Sequence, residues 1–82
     1  MNASASRGWL LEVLWSWDPI GIGEFRYEAS TEYDDLCSRI LSILKNGGTP
    51  EEVEAVSLEY LKDLGVNPVG VDGFMQRIRD SY

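Results

Sequence analysis

"LKNGGTPEEVEAVSLEYL", residues 44–61, decides how this chain folds. Asn46, Gly47 and Gly48 stop one helix, because glycine enters the left-handed backbone region at little cost. Thr49, Pro50 and Glu52 start the next one. Thr49 is the N-cap and Glu52 the return half of a capping box. Pro50 takes the first helical position, where a missing N–H is harmless. A stop and a start only a few residues apart place two helices antiparallel, as an αα-hairpin. Upstream, Tyr33, Leu36, Cys37, Ile40, Leu41 and Leu44 recur at the i, i+3, i+4, i+7 spacing of one buried face. Ser30 or Thr31 is the expected cap there, with acids in the first turn where the helix dipole favours them. Downstream, Val53, Val56, Tyr60, Leu61 and Leu64 form the stripe of the partner helix, and Gly65 ends it. Leu58 lies off that stripe.

Working outward, a first helix is expected from about Ser6 to Ser16, capped by Ser4 or Ser6. Trp9, Leu10, Val13 and Leu14 share a broad face, while Leu11 and Trp15 lie towards another side. The helix is apolar nearly all round, as for an element wrapped by its neighbours or one that meets a partner. Beyond residue 66 a short last helix is expected over 72–80, with Asp72 as cap and Phe74, Met75, Ile78 and Tyr82 inward. Only "FRYEAST", residues 25–31, could be extended, and it is too isolated to build a sheet. The expected fold is therefore all-α: three main helices plus a short C-terminal helix, around a central αα-hairpin. Residues 1–82 form a single domain, with 1–5 frayed.

The chain has 82 residues, 44% of them hydrophobic and 11% aromatic, enough for one core. Asp and Glu outnumber Lys and Arg 14 to 7, a formal net charge of −7. That field opposes nucleic acid and anionic membrane, and attracts a basic protein. No apolar run approaches the roughly 18 residues of a membrane span. With one cysteine and no histidine, neither an intramolecular disulfide nor a usual zinc site can form, which points to the cytoplasm.

The corner "WSWDPIGIGEF", residues 15–25, has glycines but no preceding strand and no following Gly-Lys-Ser/Thr, so it is no phosphate loop. Asp18 before Pro19 must leave the helical region and end the first helix near Trp17. Asp18 can also bond backbone N–H groups of the turn. The alternative is a ligand- or peptide-contacting loop shared by Trp17, Asp18 and Ile20. The carboxylates occupy helix starts and outer faces and match no calcium loop. Cys37, on an apolar stripe, has no histidine to activate it. No catalytic residue, metal ligand or cofactor site is expected.

"LWSWDPIGIGE", the acidic "EYDDL", "LKNGGTPEEVEAVSLEYL" and "LGV" together resemble a group of small bacterial helical proteins of unknown function with a W-D-P-I/L-G-I/V-G corner. The resemblance spans roughly residues 14 to 66. Its most specific piece is Trp17-Asp18-Pro19-Ile20-Gly21, and the tail after Asn67 departs most. It implies a compact helical protein of the bacterial cytosol and no activity.

The expected function is a non-enzymatic, acidic helical module that binds another protein. Its contact residues would be Leu11, Trp15, Trp17, Asp18, Ile20 and Leu58, with Trp15 as the surface anchor. One version is an immunity-type protein that neutralises a basic bacterial toxin. A homodimer through Leu11, Trp15 and Leu58 is another. The rival from a different class is a small-ligand- or metal-binding protein that uses the Asp18 corner.

Overall fold

The computed structural model describes residues 6–81. It consists of four helices: α1 (Arg7–Trp17), α2 (Asp34–Lys45), α3 (Pro50–Asp63) and α4 (Val71–Ser81), with a 3-10 turn at Gly23–Phe25. Among these residues there is no strand. Tyr82 and residues 1–5, Ser4 included, lie outside the described residues.

The hairpin forms as its caps dictate. The Thr49 hydroxyl accepts from the Glu52 N–H at 3.2 Å, and the Glu52 carboxylate accepts from the Thr49 N–H at 3.1 Å. At the end of α2, Gly48 N–H donates to Ile43 O and Gly47 N–H to Leu44 O, the two bonds of a Schellman motif. Gly47 has φ +78°, and a Cβ on Gly48 would stand 2.8 Å from the Ile43 carbonyl oxygen. Neither position tolerates a side chain without rearrangement.

The expected α2 stripe is buried throughout, from Tyr33 to Leu44. Each leucine or isoleucine on it contributes roughly 1.5–3 kcal/mol when removed from water. In α3 the buried line is Val53, Ser57 and Leu61, with Val56 and Tyr60 partly covered. Two details differ from expectation. Leu64 is the C-cap of α3 and stays 47% exposed. Ser57, a polar residue, is fully buried because its hydroxyl bonds the Val53 carbonyl one turn back at 2.8 Å.

The helices meet in a closed circuit, α1 with α2, α2 with α3, α3 with α4 and α4 with α1. Leu10, Val13 and Leu14 of α1 and Phe74, Met75 and Ile78 of α4 complete the core. α4 is as long as α1, 11 residues each, and bridges α1 and α3. Ser6 caps α1, its hydroxyl accepting from the Trp9 N–H.

Two expected caps are corrected. α2 starts at Asp34 with no side-chain cap, and the Asp34 N–H is taken by the Thr31 carbonyl at 3.1 Å rather than by a hydroxyl. The preceding residues already run in hydrogen-bonded turns, so the helix is entered from a helical path and has fewer orphan donors. α4 starts one residue early, which places Asp72 in the first turn instead of at the cap.

Candidate functional site

Between α1 and α2 the chain makes an irregular excursion, residues 18–33, built around one carboxylate. Asp18 leaves α1 in the left-handed region, φ 48° and ψ 58°, while its N–H still donates to Leu14 O. Its position before proline forbids continuing the helix, and a short polar side chain tolerates the left-handed alternative. Oδ1 of Asp18 accepts from the Ile22 N–H at 3.0 Å and from the Tyr33 hydroxyl at 2.9 Å, and Oδ2 accepts from the Gly23 N–H at 2.8 Å. The Tyr33 hydroxyl in turn accepts from the Ile20 N–H at 3.1 Å. A Cβ on Gly23 would reach Oδ2 at 2.8 Å, so the loop passes closer to the carboxylate than another residue allows.

Tyr33 is fully buried. Burial pushes its phenol well above the ordinary value, with the Asp18 bond and charge acting in the same direction and the Ile20 N–H opposing. The hydroxyl therefore stays protonated and keeps donating. Its ring meets Trp15 edge to face, centroids 4.6 Å apart. Arg26 lies 5.3 Å from the Trp15 centroid and pairs with Glu12 across the loop. That pairing holds the Glu12 carboxyl below its usual value, through the hydrogen bond first and the charge second. At the far end, the Tyr60 hydroxyl of α3 donates to the Glu32 carbonyl at 2.8 Å. Asp18, Arg26 and Tyr60 thus clamp the excursion at three places.

What the clamp presents is apolar and acidic. Phe25 is 53% exposed and Tyr27 94% exposed. Glu24, Glu28 and Glu32 lie on the same segment, all exposed, and none has an ion pair among the described residues.

The residues expected to make contact fare differently. Trp15 is corrected as a surface anchor: it is 8% exposed, enclosed by Tyr33 and Arg26. The aromatic edge and cation consume the faces that a partner would use. Leu11, Trp17 and Ile20 are half-covered and pack on the core. Asp18 faces inward onto its own loop. Trp17 stacks on Phe74 at 4.3 Å and donates its indole N–H to the Val69 carbonyl at 2.6 Å. Leu58 is half-buried and lines a groove of about 430 Å³ with Lys62, Val66 and Pro68. None of the other expected contact residues lines that groove.

Phe25 and Tyr27 were missed in the sequence because they sit in no periodic stripe. That isolation was itself the available signal, since two aromatics without a helical face to join have no core to enter.

Among the described residues no group of three His, Cys, Asp or Glu could hold a metal ion, and no helix is long and apolar enough to cross a membrane. The only thiol, Cys37, is buried and pushed above its ordinary value by that burial. No protein-family model, no curated protein and no solved structure matches the chain.

Proposed function

We propose that this chain is a non-enzymatic protein-binding module that docks through residues 23–32. The observation that carries the proposal is the exposure of Phe25 and Tyr27 on a segment tied down at both ends and in the middle. Rigid aromatics are effective anchors, because little conformational freedom is lost when they are buried by a partner. Glu24, Glu28 and Glu32 on the same segment, without an ion pair among the described residues, favour a basic surface, and the net charge of −7 steers such a partner while opposing a second copy of the same chain. A basic bacterial toxin, held by an immunity-type partner in the cytoplasm, is the concrete class this chemistry suits.

Three features support a role without catalysis. The chain has no histidine, its thiol is buried and raised above its ordinary value, and both carboxylate oxygens of Asp18 already accept bonds from residues 22, 23 and 33.

The test is affinity capture from the native bacterium, followed by reconstitution with the captured protein. The Phe25→Ser, Tyr27→Ser double variant is expected to lose the partner, with affinity at least about 100-fold weaker and thermal unfolding unchanged. Association should slow as salt is raised, through the glutamates. Equal recovery by wild type and double variant would sink the loop as the docking element.

A further inference from the structure

A second site lies between the end of α1 and the start of α4. It is a groove of about 320 Å³ bordered by Ser16, Trp17, Gly70, Gly73, Phe74 and Arg77. We propose that this groove binds a small amphiphilic anion, a flat apolar body carrying one carboxylate.

The first argument is charge. Arg77 is the one charged residue at the groove, and among the described residues it has no hydrogen bond or ion pair, although the chain carries twice as many acids as bases. Neither acid of α4 makes an ion pair with it among the described residues. Asp80 is engaged by the Gln76 amide at 2.8 Å. Asp72, five residues away, falls about 140° around the helix. A guanidinium offers a carboxylate two parallel donors.

The second argument is a glycine the fold does not require. Gly73 sits in the first turn of α4 with ordinary helical backbone, and a Cβ built there would meet nothing within 4 Å. Alanine would stabilise the helix there by about 1 kcal/mol. The absent side chain leaves the groove open one turn before Arg77, and helical side chains lean back towards the N-terminus over that gap. Gly70, by contrast, is required by the fold. Its φ is +75°, and a Cβ would stand 3.3 Å from the Trp17 indole.

The third argument is rigidity. Trp17 is fixed by the stack on Phe74 and the bond to Val69 O, so an apolar wall is preformed. The volume suits a bicyclic aromatic acid, at the lower end of ordinary ligand sites. This site shares no residue with the docking loop.

The probes are 2-naphthoate and its neutral analogue 2-naphthamide, titrated against the full chain with amide and indole NMR shifts as readout. Naphthoate is expected to bind saturably and move the Trp17 indole and Gly73 amide signals, with naphthamide at least about tenfold weaker, the equivalent of one carboxylate–guanidinium contact. Arg77→Gln should weaken naphthoate by a similar factor and leave naphthamide unchanged. Gly73→Leu, at an open helical position, should abolish both while the rest of the spectrum is preserved. Equal affinity for the two probes, unchanged naphthoate binding in Arg77→Gln, or shifts confined to other residues would each overturn the proposal and leave the docking loop untouched.

Discussion

The α2–α3 hairpin and the corner of residues 18–33 both reverse the chain, but only the corner adds bonds between distant segments to its local ones. At the hairpin every bond that makes the turn joins residues within five positions of one another, from Gly48 to Ile43 and from Thr49 to Glu52. At the corner two bonds of the same short reach, Ile22 and Gly23 to Asp18, are joined by long ones: Tyr33 to Asp18, Arg26 to Glu12, and Tyr60 to Glu32 across 28 positions. A local turn can form before the rest of the protein. The corner holds its shape only when the core behind it is assembled, and it is the corner that presents Phe25 and Tyr27. Surface available for function here comes from the region with the least secondary structure and the most side-chain bonding.

That contrast can be broken most sharply at Asp18. Asp18→Ala leaves the Ile22 and Gly23 N–H groups and the Tyr33 hydroxyl without their acceptor, and puts alanine at a left-handed backbone. A loss of about 3 kcal/mol is expected in urea unfolding, with the largest NMR shift changes in residues 19–33.

Tyr33→Phe is next, at about 1.5 kcal/mol near neutral pH, because the Ile20 N–H loses its partner. This variant also carries a pH signature. The folded phenol sits above its ordinary value of 10.0, so the stability that Tyr33 contributes is intact below about pH 10 and falls as pH rises past it, where only the unfolded chain's phenol ionises freely. Tyr33→Phe should show a shallower alkaline decline. It should not be flat, since Cys37 and Tyr60 are raised by burial as well. A decline as steep as wild type would mean that Tyr33 is not the buried acid.

The smallest effect belongs to the hairpin. Thr49→Ala removes one cap and should cost about 1 kcal/mol, with changes confined to the first turn of α3. Were Thr49→Ala as damaging as Asp18→Ala, the distinction between local and tertiary turns would fail.

How much of this was legible beforehand follows the same division. The α2 stripe, the capping box and both hairpin glycines could be read directly, because periodicity and capping depend on neighbours a turn apart. The capacity of Asp18 to bond its turn was readable too. The partner that completes the network, Tyr33, was not, since it was assigned to the core by period alone and its hydroxyl gave no sign of where it would point. Trp15 was misplaced for a related reason. Seven apolar residues between Trp9 and Trp17 gave α1 more grease than one stripe uses, and only the path of residues 22–33 determined which part was covered.

The chain's own order of residues thus determined four helices, their approximate ends, the hairpin and the acidic field, all consequences of contacts within one or two turns or of summed charge. Tertiary structure alone decided that Trp15 is enclosed, that Phe25 and Tyr27 stand outside, and that Trp17, Gly73 and Arg77 border one groove. Those outcomes depend on which distant segments share space, and a side chain's exposure is a property of that packing rather than of its neighbours along the chain.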